Sequence, residues 1–180
     1  MIRVCLYTLL LFLSVFLLDP NLISIQICQG SSMNPTFKNG DLVFFHRTNR
    51  SLQAGDLVNF EDHEGEWVVK RVIATGGMSF ELRDNNVIID KSPLAKERLY
   101  ETERYTCYRE KNGHTEYLIF QIKNEHLKEC CHQTFVPDGY VFVMGDNRHE
   151  SDDSRHYGLV ASHKLIPVKP TRLLNLGFFL

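Results

Sequence analysis

Short segments of alternating apolar and polar residues follow one another closely along this chain, and they limit the folds that it can adopt. DLVFFHR from Asp41, DLVNFED from Asp56 and EWVVKRVIA from Glu66 each have the two-residue period of a strand. Turn-forming residues separate these segments, and no long helical period interrupts them after residue 21. The sequence therefore predicts a mainly β fold, with a sheet or a barrel-like domain.

A change of composition divides this β-rich region. Residues 77–136 are more polar and charged than their surroundings, although they include strand patterns such as NNVIID and EYLIFQI. The strand pattern YVFVM follows, and the chain ends in an apolar segment. We therefore predict a main β-domain formed by residues 22–76 and 137–180, with a smaller β-rich subdomain, residues 77–136, inserted into it.

The N-terminal segment 1–18 is almost entirely apolar and predicts a transmembrane helix. Eighteen residues in a helix span roughly 27 Å, close to the hydrocarbon thickness of a bilayer. A cleavable signal peptide is the alternative, but the residues that follow contain no small-x-small cleavage site. Arg3 precedes the segment and no basic cluster directly follows it, so we expect the N-terminus to be cytoplasmic and the rest of the chain to be exported.

The charge balance and the cysteines exclude some classes of partner. With 20 basic and 22 acidic side chains and a net charge of −2, the chain lacks the basic surface that binds nucleic acid. In an oxidising compartment Cys107 is a candidate for a disulfide with Cys130 or Cys131, while free thiols remain the alternative. His126 and His132 lie near these cysteines, but their spacing matches no standard zinc pattern, and we expect no metal.

Gly30-Ser31-Ser32-Met33-Asn34-Pro35-Thr36 places two hydroxyls in a turn just beyond the predicted anchor. A serine nucleophile needs a base, and although eight histidines are present, the G-x-S-x-G pattern of many hydrolases is absent here. Lys70 is the stronger candidate, because strand alternation places it on the same face as core residues such as Val68 and Val72. Burial there would lower its pKa toward that of a general base. Alternation directs Arg71 to the opposite face. A Lys-Arg pair that protects an edge strand is the competing interpretation.

A dense polar segment, GDNRHESDDSRHYG from Gly145 to Gly158, follows the strand YVFVM. Its oxygen-rich side chains could form a calcium loop, but two arginines and the lack of a terminal glutamate ligand argue against this. A solvated surface loop is the other simple interpretation. It does not explain why an apolar strand leads directly into the segment.

Taken together, four ordered motifs resemble those of the type I signal peptidases, also called leader peptidases. The motifs are GSSMNPT, GDLV from Gly40, KRV from Lys70 and GDNRHESDDSRHYG from Gly145. The apolar N-terminus lies where that family has its anchor. The resemblance implies a signal-peptidase-like β-domain that removes N-terminal signal peptides from exported preproteins.

The resemblance also implies a role for each matching residue. Ser32 corresponds to the nucleophile and Lys70 to the general base of a Ser-Lys dyad that forms an acyl-enzyme. The backbone N–H of Ser32 corresponds to the oxyanion donor, and Gly30 occupies a position where some members have a second, hydroxyl donor. On that basis we expect Gly30→Ser to preserve or raise turnover. Ser151 corresponds to the residue that orients the lysine amine, and two charged pairs support the site: Arg71 with Asp146, and Asp153 with Arg155.

Specificity and location are implied in the same way. The family cleaves after small-x-small sites, and the residues expected to border the shallow pockets are Cys28, Met33, Phe37 and Val69. The expected location is the bacterial cytoplasmic membrane, with a single span and the catalytic domain on the extracytoplasmic side. The expected partners are preproteins with signal peptides and the lipid bilayer. We expect the protein to be a monomer and to use no cofactor.

Three other functions remain in view. The chain could be a specialised processing peptidase of a conjugation or secretion system, which only its substrates would distinguish. A self-cleaving Ser-Lys repressor would have a DNA-binding region in place of an anchor. An inactive, membrane-anchored β-domain that binds proteins is disfavoured because Ser32 and Lys70 are both present.

The sequence also departs from the family pattern in the segment RVIATGGMSF and at His149-Glu150.

Overall fold

The computed structural model describes residues 22–48, 50–127 and 134–175, and these form a mainly β structure, as predicted. The predicted anchor, residues 1–18, lies outside the described residues, and among those described no helix has the length and apolar character to cross a bilayer. The strands are β1 Leu22–Ile27, β2 Asp41–Arg47, β3 Leu57–Glu61, β4 Trp67–Thr75, β5 Ser79–Arg83, β6 Asn86–Ile89, β7 Ser92–Pro93, β8 Ala95–Glu101, β9 Tyr105–Asn112, β10 Thr115–Ile122, β11 Thr134–Phe135, β12 Tyr140–Met144, β13 Val160–Ala161 and β14 Ile166–Asn175. One helical turn, Ser154–Tyr157, and one 3₁₀ turn, Ser162–Lys164, occur near the end.

A seven-stranded antiparallel sheet carries the strands that flank the candidate site. Its order is β1-β2-β14-β3-β4-β12-β13, so the long strand β14 joins β2 to β3. The alternation in β2 is the one its sequence predicts, with Val43 and Phe45 fully buried between more exposed neighbours. The strand patterns at β1, β2, β3, β4 and β12 are therefore confirmed.

Strand β4 is buried on both faces along its second half. Val72 packs in one apolar cluster with Val58 and Val143, whereas Ile73 and Ala74 pack in another cluster. A strand covered on both faces has no solvent-facing side on which a charged residue can remain hydrated. Any ionisable side chain in this part of β4 must therefore find its partners inside the protein.

Two smaller sheets occupy the chain between β4 and β12. Strands β10, β9 and β8 form one, and β11, β5, β6 and β7 form the other. The β5–β6 turn uses Asp84 and Asn85 with positive φ, a backbone conformation that Asp and Asn tolerate better than most residues. The boundaries of the two predicted units, residues 22–76 with 137–180 and residues 77–136, remain predictions.

The β9–β10 hairpin contacts the large sheet through polar groups. Asn112 Nδ2 donates to the carbonyl of Ile73 over 2.9 Å. Further along, the N–H of Phe120 donates to the carbonyl of Asp146, and the N–H of Arg148 donates to the carbonyl of Phe120. The hairpin thus extends onto the polar segment that follows β12 and fixes its backbone.

Candidate active site

The serine turn, residues 30–36, lies between β1 and β2 and is held by backbone and side-chain hydrogen bonds. The N–H of Asn34 donates to the carbonyl of Ser31 over 2.9 Å, and the N–H of Gly30 donates to Asn39 Oδ1 over 3.0 Å. Gly30 has a φ of 78°, in the left-handed region that favours glycine. The turn therefore depends on glycine for its backbone conformation, in addition to any effect of a missing side-chain donor.

Lys70 is buried on β4, as the alternation of that strand predicts. Its Nζ donates to Ser151 Oγ over 3.2 Å. Burial lowers the pKa of Lys70 below its usual value, although the negative charges of Asp153 and Asp152 oppose the shift. A lysine in this state loses its proton more readily than a solvated one, which is the property that a general base requires.

Gly145 brings Ser151 and the serine turn together. A Cβ at this glycine would lie 2.5 Å from the carbonyl oxygen of Ser32 and 2.5 Å from Ser151 Cβ. Such distances leave no room for any side chain at position 145. Because Ser151 also contacts Lys70, the buried amine and the serine turn belong to one site around this glycine.

Arg71 and Asp146 form a bidentate pair on the opposite face of β4. Arg71 Nε and Nη2 each donate to a different carboxylate oxygen of Asp146 over 2.7 Å. The guanidinium also lies 3.9 Å from the ring centroid of Tyr117, and Thr36 Oγ1 donates to Asp146. Burial disfavours the charge of Arg71, but Asp146 outweighs it and raises the pKa of the guanidinium. Arg71 therefore stays charged, and the pair joins β4, the polar segment and the serine turn.

Asp153 and Arg155 form a second bidentate pair within the polar segment. Arg155 Nε and Nη2 donate to the two carboxylate oxygens of Asp153 over 2.7 Å. Asp153 Oδ2 also accepts the N–H of Gly145 over 2.9 Å. Burial raises the pKa of Asp153, but Arg155 outweighs this effect and the pKa lies below its usual value. The carboxylate therefore stays charged and holds Gly145 in place.

The interpretation of the polar segment as a solvated loop is wrong. Asp146, Asn147 and Asp153 are fully buried, and Arg148 is almost so. Two of the acidic side chains are occupied by arginines rather than arranged around a cation. Among residues 22–48, 50–127 and 134–175, no cluster of three or more His, Cys, Asp or Glu is placed to bind a metal.

A cleft of about 470 Å³ runs beside the serine turn. Segments 26–30 and 66–69 form its sides, and Ser32 lines it. Burial, together with the charge of Asp41, raises the pKa of the Cys28 thiol to about 11, so this side chain stays protonated. All four predicted pocket residues line the cleft: Cys28, Met33, Phe37 and Val69. Met33 and Phe37 also belong to the buried cluster beneath it.

The other cysteine prediction is open. Cys107 is buried in β9 and forms no disulfide with another of the described residues. Its proposed partners Cys130 and Cys131, and His132 of the zinc alternative, lie outside the described residues. A disulfide between these segments stays a prediction.

Sequence reasoning missed Asn147 as a residue that holds the serine turn. Its N–H donates to the carbonyl of Ser32 over 3.0 Å, and its Nδ2 donates to the carbonyl of Ser31 over 3.2 Å. Thr36, which binds Asp146, was missed in the same way. The position of Asn147 within the GDN motif could have indicated its importance. The sequence does not show that it binds Ser31 and Ser32, which lie more than a hundred residues earlier.

A buried amine close to a serine turn, with an open cleft beside it, provides groups that a serine hydrolase requires. Comparison with known proteins points to one family. The sequence matches the family described as "Signal peptidase, peptidase S26" over residues 1–172. Signal peptidase I V of Bacillus subtilis (strain 168) is 28% identical over 144 residues, which cover 78% of this chain and 79% of that protein.

Two further signal peptidases are similar to this chain. Signal peptidase IB of Staphylococcus aureus (strain Mu50 / ATCC 700699) is 27% identical over 164 residues, which cover 86% of this chain and 80% of that protein. A signal peptidase I from Enterococcus faecalis V583, known from its crystal structure, is 26% identical in sequence. The match covers 68% of this chain and 99% of that protein's chain, with a TM-score of 0.46.

The chain belongs to the signal peptidase family, peptidase S26. It is a serine peptidase and therefore a hydrolase. Membership supports the removal of signal peptides from preprotein substrates. The resemblance inferred from the four motifs is confirmed.

Proposed function

We propose that this protein is a membrane-bound endopeptidase that removes N-terminal signal peptides from exported preproteins, with Ser32 as nucleophile and Lys70 as general base. The observation that carries the proposal is the hydrogen bond from the buried amine of Lys70 to Ser151. Ser151 and Ser32 both lie against Gly145, so the amine is close to the serine turn. The lowered pKa of Lys70 supports the role of base.

The reaction follows from these positions. Neutral Lys70 takes the proton of the Ser32 hydroxyl as its oxygen attacks the scissile carbonyl carbon. The carbon–nitrogen bond then breaks, and the lysine ammonium returns the proton to the leaving amine. Water, activated by the same amine, attacks the acyl-enzyme and releases the cleaved signal peptide. The backbone N–H of Ser32 serves as oxyanion donor.

Ser151 orients the amine of Lys70 in this mechanism, and the two arginine–aspartate pairs hold the elements that carry the site. The pair of Asp153 with Arg155 acts through the N–H of Gly145. The pair of Asp146 with Arg71 acts through β4 and, by way of Thr36, through the serine turn. None of the four charged groups needs to touch the substrate.

An extended peptide fits the edges of the cleft. In the described part of the chain, β4 pairs with β12 only from Arg71 onward, and β1 is the outer strand of its sheet. The free edge at residues 67–70 and the outer strand offer backbone groups to a substrate between them. Shallow subsites bordered by Cys28, Met33, Phe37 and Val69 select small residues one and three positions before the cut.

The apolar rim of the cleft and the apolar segment 1–18 both suit a signal peptide as substrate. Exposed Ile27 and Trp67 lie at the cleft and give it an apolar rim that suits the apolar part of a signal peptide. The apolar segment 1–18 anchors the chain in the bacterial cytoplasmic membrane, with the catalytic domain on the extracytoplasmic side. Anchoring raises the local concentration of enzyme around substrates embedded in the same bilayer.

The test uses the full chain in lipid with a precursor that carries an Ala-x-Ala site. The parent protein is compared with Ser32→Ala and Lys70→Ala, and the new N-terminus is sequenced. Cleavage at that site by the parent and by neither variant supports the dyad. Retained cleavage by either variant contradicts the mechanism. No cleavage by a folded parent contradicts general signal peptide removal and favours a specialised peptidase or a protein-binding domain.

A further inference from the structure

One carboxylate oxygen of Glu150 holds the residue directly before Ser32. Ser31 Oγ donates to Glu150 Oε2 over 3.2 Å, and Asn147 Nδ2 donates to the same oxygen over 2.9 Å. Asn147 also donates to the carbonyls of Ser31 and Ser32. The serine turn is therefore bound on its side chain and its backbone by two residues of the polar segment.

The other carboxylate oxygen of Glu150 is held from the inserted region. Arg104, in the turn between β8 and β9, lies 2.7 Å from Glu150 Oε1 through Nη2. Its guanidinium also lies over the ring of Tyr105, which stacks on Phe120. Arg104 is thus placed by its own hairpin, and its partly exposed guanidinium pairs with the carboxylate oxygen of Glu150 that does not accept from Ser31.

The charge of Glu150 is maintained by these neighbours. Burial raises the pKa of the carboxyl, but hydrogen bonds from Tyr105, Asn147 and Ser31 outweigh burial and hold the pKa below its usual value. An ionised carboxylate accepts from several donors at once, which a protonated one does less well. Glu150 is therefore ionised at neutral pH and accepts the hydrogen bond from Ser31.

We propose that Glu150, held by Arg104, is a positioning residue that aligns the nucleophile turn through the hydroxyl of Ser31. This inference rests on the proposed function, in which Ser32 is the nucleophile. Glu150 acts through Ser31 and does not touch the reacting atoms. Since small misplacements of a reacting group reduce rate steeply, its loss lowers turnover more than substrate binding.

The first test measures kcat and KM for the Ala-x-Ala precursor with Glu150→Ala and Glu150→Gln. We expect Glu150→Ala to lower kcat about 10-fold with KM changed less than about twofold, because only alignment is lost. Glu150→Gln keeps an oxygen acceptor for Ser31 and is expected to retain most of kcat. The matched control is Glu97→Ala, which breaks the exposed ion pair with Arg109 elsewhere in the inserted region and leaves kcat unchanged.

A double-mutant cycle separates positioning from general destabilisation. If Glu150 acts through the Ser31 hydroxyl, Glu150→Ala lowers kcat less in a Ser31→Ala background than in the parent. The proposal would be overturned if the effects of the two substitutions on kcat were fully additive. It would also be overturned if Glu150→Gln lowered kcat as much as Glu150→Ala.

A second measurement does not depend on activity. The amide of Asn34 donates to Ser31 within the turn, so its hydrogen exchange reports opening of that turn. We expect Glu150→Ala, but not Glu97→Ala, to accelerate this exchange about 10-fold. Unchanged exchange would refute positioning by Glu150 even if the parent cleaved no precursor. Loss of cleavage in the parent would instead count against the proposed function.

Discussion

Lys70 Nζ donates a hydrogen bond to Ser151 Oγ over 3.2 Å, and both side chains are buried. The hydroxyl is the only polar group of the Ser151 side chain, so its removal breaks this hydrogen bond and frees the lysine side chain to turn away from the serine turn. We expect Ser151→Ala to lower kcat by about 10-fold or more and to leave KM nearly unchanged, because the base is displaced while the cleft is intact.

The measurement for Ser151 is steady-state cleavage of the precursor by the parent and the variant. Ser92→Ala is the control, because Ser92 is exposed on the short strand β7. A rise in KM without a fall in kcat would contradict the orienting role and would indicate that Ser151 contributes to substrate binding.

The pH dependence of cleavage tests the burial of Lys70. The base must be neutral, and burial lowers the pKa of its amine. Activity should therefore rise with pH through an apparent pKa below that of a free lysine, about 10.4. The measurement is kcat/KM across the pH range in which the protein stays folded. A rise that occurs only near the free-lysine value would mean that the amine is hydrated in the working enzyme.

Gly145→Ala tests the close approach of Ser151 and the serine turn. The added methyl group would collide with the Ser32 carbonyl and with the buried side chain of Ser151. Overpacking of this kind costs about 1–3 kcal/mol, and the displaced backbone should remove most of the activity. Cleavage and thermal unfolding are measured together. Gly77→Ala is not sterically hindered, although its positive φ is strained, and it controls for the loss of a glycine far from the site. Full activity in Gly145→Ala would contradict the packing described here.

The strand pattern predicted the position of Lys70 but not the surroundings of Arg71. Alternation along β4 assigns each residue to a face, and it correctly separates Lys70 from Arg71. It carries no information about what covers the second face, which is Tyr117 of a hairpin more than forty residues later. For the same reason the polar segment resembled a solvated loop, because two of the residues that pair with its buried charges, Arg71 and Glu110, are distant in sequence. Its resemblance to a known motif predicted its importance, whereas composition alone did not.

Gly30 shows where a structural detail changes an expectation from sequence. The resemblance suggested that Gly30→Ser would preserve or raise turnover by adding a donor. Space is available for a Cβ at this position, but φ is 78°, which L-residues other than Asn and Asp rarely adopt. We now expect Gly30→Ser to destabilise the protein by about 1–2 kcal/mol, and Gly30→Asn to cost less. Thermal unfolding of both variants checks this. Equal stability of parent and Gly30→Ser would contradict the strain argument.

The buried pair of Arg148 and Glu110 connects the polar segment to the β9–β10 hairpin. Both side chains are almost completely buried, and Glu110 also accepts the hydroxyl of Tyr117 over 2.8 Å. Burial disfavours the charge of Arg148, but Glu110 outweighs it and raises the pKa of the guanidinium. Removal of Glu110 would leave a buried cation without its counter-ion. We expect Glu110→Ala to lower the free energy of unfolding by about 3–5 kcal/mol, as measured by urea denaturation.

The size of that loss reflects an uncompensated charge rather than the net value of the pair. A variant that removes all three polar groups, Glu110→Leu with Arg148→Met and Tyr117→Phe, should therefore recover much of the stability lost in Glu110→Ala. Glu97→Ala breaks an exposed pair and should cost at most about 1 kcal/mol. If Glu110→Ala costs no more than Glu97→Ala, the guanidinium of Arg148 must reach solvent, and the hairpin would not hold the polar segment through this pair.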